Sequence, residues 1–515
     1  MKKRMVSENW SIADAVFSGS KSGLSKWFFV LLGVLALNIS AVSQDTLRMD
    51  LDEVLELAGK QSLEAFKAEN VYMASYWEYK AFKSSLLPQA SLRVRPFTFN
   101  RAMTQRYDIN QNIEVFREQQ TLNSYANLSV NQNIGITGGK VYVDSDFNRL
   151  LNFNADGLET YSLTPVRIGV VQPMFAFNET KWLHKLEPLK FEHARKAFIR
   201  EQQIINRTVV GLYFDLLLAI KRSEMAKSNL KSAQELHDIG RKRFALTTID
   251  KESLLNLELS MQNATTDLVM ANKEIARARF NLSSFLRLDQ AVVLFPEIPE
   301  ETLGLQIDAM EAVGYALESN PTLLELRRTR LEAERDLERT VKEGNLNIDL
   351  TASFGLNQQA DDPSQLYTDM LDQEMVAIDV SMPLLDWGQR KGRKEMALRR
   401  KEVAEIEITQ AKSDFEQEVT LQAIDFNLQE QLVRTSKKSE IIALESYQLT
   451  ESRFRTGNAD VLTLTSAVNA RQNAQENYIN NLKLYWQHYY RLQQLTLYDF
   501  RNQRPLSASF EEFHP

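Results

Sequence analysis

Five histidines are the only imidazoles this 515-residue chain can bring to a reaction. His184, His193, His237, His488 and His514 show no pairing with one another at metal-ligand spacing. There is no cysteine, which removes thiolate ligation, a disulfide framework and a lipidated N-terminal cysteine. His184 and His193 lie beside Glu187 and Glu192 on a polar helical stretch and read as a solvated face. Neither a phosphate-cradling glycine loop nor a nucleophile elbow occurs. Tyr485, Trp486, Tyr489 and Tyr490 follow helical spacing and read as packing residues. These observations predict no enzyme, no metal and no cofactor. What remains is turn chemistry. Gly457 suits the left-handed cap of a long helix, and Asp460 suits the N-cap of the helix that returns. Pro173 and Pro383 lack a ladder donor and have φ fixed, so they suit the last residues of strands that turn into helices.

These turn-formers belong to a sequence written twice. Val166 to Leu286 aligns with the chain from Val376 onward at a constant shift of 210, placing Pro173 on Pro383, Arg243-Phe244 on Arg453-Phe454 and Asp250 on Asp460. Earlier in each half the shift is 258, so the first half carries about 48 extra residues. A unit this elongated cannot bury its apolar faces alone and must pack on its duplicate and on other chains. The expected division is an export signal at 1–43, a first repeat at 44–299, a second at 300–500 and a tail at 501–515. The proline-bearing segment from Leu288 to Pro299 joins the repeats.

Lys21 and Lys26, an apolar run from Trp27 to Leu37, then Ala41-Val42-Ser43 form the signal-peptide pattern. No other stretch approaches 18 apolar residues, so a membrane span in the mature chain would be built from strands. The net charge is −7, or about −10 without the basic leader, which disfavours nucleic acid as a partner. Period-two alternation marks strands at about 90–99, 164–174, 348–357 and 376–384, each oily on one side and polar on the other. That dyad fits a barrel between lipid and water, and equally a half-buried soluble sheet. A further hairpin at about 125–150 turns at Thr137-Gly138-Gly139-Lys140. It adds two strands per chain to the sheet, six in place of four and so about eighteen in place of about twelve if three chains close one barrel, or projects outside. Both stay open from sequence. Long helices from Phe177 to Lys242 and from Gly388 to Ser452 would each run on the order of 100 Å. Phe415, Val419, Gln422, Phe426, Gln429 and Val433 make one apolar seam, and Leu421, Ile424, Leu428 and Leu432 make a second on another side. A helix in a closed ring needs one seam per neighbour.

From Met49 to Leu497 the chain resembles the TolC-like outer membrane efflux proteins. The resemblance rests on the duplication, Leu87-Pro88 before the first strand, Ala316 to Pro321 opening the second half, Pro383-Leu384-Leu385-Asp386-Trp387-Gly388-Gln389-Arg390 where strand becomes helix, and Arg453 to Asp460 at the helical turn. It implies a mostly α fold with membrane β: a homotrimeric β-barrel in outer membrane lipid, continued by a long periplasmic helical barrel. It implies an exit duct of a tripartite efflux pump or type I secretion system, served by a periplasmic adaptor and an inner-membrane transporter. The periplasmic tips would be Arg243, Phe244, Asp250, Arg453, Phe454, Gly457 and Asp460, with Phe454 as an exposed anchor or packed inward. Thr463 and Ser466 stand where some members carry gate aspartates, and Pro173, Pro383 and Gly388 mark the strand-to-helix corners. The first half departs from the pattern at Thr247, in the place of Gly457. A periplasmic coiled-coil adaptor and a structural rod are the alternatives.

Overall fold

The computed structural model describes residues 46–108, 112–153, 157–289, 293–299, 302–456 and 458–507. The expected export signal and Gly457 lie outside these.

Cap chemistry sets where the helices begin. Asp50 and Glu53 form a reciprocal capping box at the start of α1 (Leu51–Gln61), and Ser62 caps α2 (Leu63–Ser85). Asp308 and Asn320 do the same for α5 (Ala309–Ser319) and α6 (Pro321–Glu343). The long helices α3 (Glu179–Ala245) and α7 (Gln389–Arg455) have 67 residues each, about 100 Å at 1.5 Å per residue. They return as α4 (Lys251–Phe285) and α8 (Val461–Thr496). The equivalent elements start 258 or 210 residues apart, as the sequence repeat dictates.

Four helices lie abreast at either level. Near the strands the order is α2, α3, α6, α7; farther away it is α4, α3, α8, α7. Each 67-residue helix is thus flanked by two shorter ones placed end to end. Between the levels sits the main core, in which α1, α5 and the short parallel pair β1 (Thr46–Met49) and β6 (Val293–Pro296) pack on the middle of the long helices. The Tyr213 hydroxyl donates there to the carbonyls of Met49 and Glu297, 3.2 and 2.5 Å away. Contrary to the expectation from sequence, α3 does contain one 18-residue window apolar enough to cross a membrane. More than half of it is buried, and Ile205, Val209, Tyr213 and Leu217 within α3 are part of this core.

The strands form one antiparallel sheet of order β2 (Gln89–Asp108), β3 (Ile113–Asn133), β4 (Lys140–Asn152), β5 (Leu158–Pro173), β7 (Asn347–Ala360) and β8 (Leu371–Ser381). The extra hairpin is β3–β4, spliced between the two strands that correspond to β7 and β8. Gly138 takes φ +75° in its turn, where the Ile134 carbonyl accepts from the Gly138 N–H at 2.8 Å.

The sheet is inverted relative to a soluble one. Leu92, Ile168, Phe354 and Ile378 on its oily side are each more than half exposed, whereas Asp144 and Arg167 on the polar side are largely covered and ion-paired at 2.7 Å. The helix row shows the same incompleteness. In α7, Phe415, Val419, Phe426, Gln429 and Val433 are buried within the chain, and Leu421, Ile424, Leu428 and Leu432 are exposed. Leu255, Leu259, Val269 and Met270 on α4, at the other edge of the row, are exposed too.

Candidate functional site

The two helical turns lie at the ends of α3 and α7 remote from the sheet. In the first, Leu246 closes the helix, the Thr247 N–H donates to the Phe244 carbonyl and the Thr248 N–H to the Arg243 carbonyl, both at 2.9 Å. This is a Schellman closure, and it needs a left-handed residue at position 247. Thr247 supplies it at φ +57°, a strained conformation for a β-branched side chain. In the second turn the Asn458 N–H makes the matching bond to the Arg453 carbonyl at 2.8 Å, spanning the position of Gly457. The sequence shows the glycine and hides the strained threonine.

Asp250 and Asp460 open the returning helices by accepting from the Ser253 and Thr463 N–H groups at 2.8 and 2.7 Å. Hydrogen bonds from Ser253 and Thr463 hold these carboxyls below the usual aspartate value. Thr463 is therefore part of a cap, and both it and Ser466 are exposed.

Of the two placements open for Phe454, exposed anchor or packed inward, the structure shows the inward one. Its ring is 5% exposed, in a small cluster with Tyr447 and Leu464, against which Leu236 of α3 also packs. Its counterpart Phe244 is 40% exposed. The difference is one of neighbours: Leu464 of α8 and Leu236 of α3 close over Phe454, whereas the matching side of α3 is an edge of the row within one chain. The exposed apolar side chains at the tips are instead Leu246 and Leu462, with Phe244. A pair that sequence gave no sign of, Arg455–Glu235 at 3.4 Å, ties the second tip to α3.

The strand-to-helix corners differ between halves. Pro173 ends β5, and the Asn178 side chain caps α3 through the Lys181 N–H at 2.9 Å. Pro383 lies two residues beyond β8, so it follows the strand instead of ending it. Gly388 occupies the N-cap of α7 at φ +87°, and Asp386 accepts from the Gly388 and Arg390 N–H groups and from the Arg390 guanidinium. Those bonds hold Asp386 below the usual carboxylate range. Trp387, Leu384 and Phe175 stand exposed around these corners. His193, expected on a solvated face, is half-buried and faces Glu325 of α6 at 3.6 Å.

Residues 312–496, nearly the whole second repeat, match the family model described as outer membrane efflux protein. No curated protein matches the chain. Among solved structures, the efflux-protein fold is shared with the outer membrane protein VceC from Vibrio cholerae at 13% identity, with 87% of this chain and 95% of that chain covered and a TM-score of 0.60. The Campylobacter jejuni CmeC outer membrane channel gives 13% identity, 90% and 88% coverage and a TM-score of 0.62. The outer-membrane channel OprN gives 15% identity, 87% and 89% coverage and a TM-score of 0.61. The fold is that of TolC-like channels across both repeats, including the first, which the family model does not reach.

Proposed function

We propose that this chain is an outer membrane exit duct that works as a homotrimer, its strands closing a β-barrel in lipid and its helices closing a tube through the periplasm. The observation that carries the reading is the inverted sheet at one end of a helix row about 100 Å long. Its exposed oily side needs an apolar solvent, and its polar side suits a water-filled lumen. Trp387, Phe175 and Leu384 at the corners suit the headgroup level. The exposed seams on α4 and α7 are complementary edges of an open row, and three copies would bring twelve helices into one ring. The four helices of one chain form only an open row.

Within this reading the duct takes cargo from an inner-membrane transporter through a periplasmic adaptor, in a tripartite efflux pump or a type I secretion system. The tips meet the adaptor. Leu246, Phe244 and Leu462 offer the apolar contact, and Arg243, Arg453 and the capped Asp250 and Asp460 surround it with charge. The chain supplies a path and no energy source. Membrane fractionation and a deletion strain test the proposal. The protein should sediment with the outer membrane, and its loss should abolish export or raise sensitivity to toxic solutes, restored by the intact gene. Recovery in the soluble periplasmic fraction would overturn it.

A further inference from the structure

The sheet has six strands where two per repeat would give four, and three features of the added pair bear on how it closes. The first is its pattern. Leu128 and Val130 of β3 and Val143 of β4 lie on the same side as Leu92, Ile168 and Phe354, because the registers Leu92↔Leu128, Val130↔Val143, Val143↔Ile168 and Ile168↔Phe354 run straight across. On the other side Tyr125 and Asn127 of β3 donate to Asp146 of β4 at 2.8 and 2.7 Å, and Arg167 of β5 pairs with Asp144 and Asp146. The oily band and the polar lining thus pass unbroken through the inserted strands.

The second feature is the place of the hairpin turn. The Gln132 side chain donates to the Leu86 carbonyl at 2.7 Å, and the Asn178 side chain donates to the Gly135 and Ile136 carbonyls at 3.0 and 3.1 Å. Leu86 closes α2 and Asn178 opens α3, so the turn sits at the level of the helices. Both strands run from there upward through the sheet. Only the far parts of β2 and β3, beyond the pairing Thr121↔Asn152, extend past β4 as a two-stranded ribbon.

The third is stagger. Gln89 at the foot of β2 pairs with Asn131, two residues short of the foot of β3, and Lys140 of β4 pairs with Val171, two short of the foot of β5. Pro173 pairs with Asp349, two past the foot of β7, while β3–β4 and β7–β8 are flush. Every step has the same sense, six residues over five pairings. With about 3.3 Å per residue and 4.8 Å between strands, the strands tilt by about 40°, within the 35–45° of closed barrels.

On the exit-duct reading above, we propose that β3 and β4 span the membrane and that three copies close a barrel of 18 strands, β8 of each copy pairing with β2 of the next. Six alternating strands leave β2 running away from the helices and β8 running toward them, so the two edges meet antiparallel. At that tilt, 18 strands give a barrel about 36 Å across between opposite backbones, against about 24 Å for twelve. A ring of twelve helices spaced about 9–10 Å apart is about 35–39 Å across. The wider barrel therefore continues the helical tube without a step.

The chain has no cysteine, so single cysteines report cleanly. Ile136 in the hairpin turn is 92% exposed and Tyr367 between β7 and β8 is 71% exposed. In intact cells carrying Ile136→Cys or Tyr367→Cys, a membrane-impermeant maleimide should label position 367, and position 136 only after the outer membrane is permeabilised. Labelling of position 136 in intact cells as readily as position 367 would place the hairpin outside and overturn the inference. Electron cryomicroscopy of the particle in lipid should count 18 strands around the axis. A trimer with twelve overturns this inference and leaves the duct standing, whereas a lone chain with an open sheet overturns the duct itself.

Discussion

Replacing Phe454 by alanine should loosen the second tip far more than the same change at Phe244 loosens the first, although sequence aligns the two. Phe454 is 5% exposed against Tyr447 and Leu464, so its truncation leaves a cavity in a closed cluster. Burial of that order costs about 3 kcal/mol when a phenyl ring is removed, which raises the local opening equilibrium roughly 100-fold. Phe244 is 40% exposed, and its truncation in the single chain should cost about 1 kcal/mol, roughly fivefold. Native-state hydrogen exchange on the dissociated chain reads both, through the amides of the last turns of α3 and α7 and the first turns of α4 and α8. Protection should fall by about two orders of magnitude at the second tip in Phe454→Ala, with the strand amides unchanged. Equal, small losses in both variants would refute the assignment of Phe454 as the ring that closes the hairpin.

Other substitutions probe the remaining parts. Thr247→Gly should stabilise the first tip by up to about 1 kcal/mol in hydrogen exchange, since glycine adopts φ +57° without strain; destabilisation would contradict the strain argument. Leu428→Glu should prevent association while leaving the helix content of the chain intact, because Leu428 lies on the exposed seam of α7; unchanged particle mass would remove that seam from the interface. The His488 Nδ1 is 2.7 Å from the Gln422 amide nitrogen, and burial pushes the imidazole below its ordinary value of 6.5. The stability it contributes is complete above that value and is lost as pH falls from it through the lower folded value. Melting temperature should fall as pH is lowered below 6.5, and His488→Asn should flatten the fall; an unchanged slope would contradict it.

Much of this architecture was legible because the duplication fixes it. The shifts of 210 and 258 reappear as the spacing of helix starts, and period-two alternation marked the strands of the large sheet, whereas β1 and β6, four residues each, are too short to show it. The hairpin at Gly138 was readable from its turn glycines, yet its place was not, because the bonds from Gln132 and Asn178 that hold it at the helices join residues more than 40 positions apart. Phe454 shows a different limit. Its burial depends on Leu236 of a neighbouring helix, so two identical Arg-Phe pairs acquire different surroundings. Thr247 shows a third, since backbone hydrogen bonds impose a left-handed residue where local preference opposes one. The apolar window in α3 is masked in the sequence by Arg207 and Asp215, and core packing covers more than half of it.

The account stands most directly on the mass and shape of the particle extracted from the outer membrane. Light scattering in detergent, combined with a reconstruction in lipid, should give three chains on a threefold axis, with one strand barrel opening into one helical tube that ends at the turns 243–250 and 453–460. A particle with the mass of one chain, or an assembly whose strands lie outside the lipid, would contradict it.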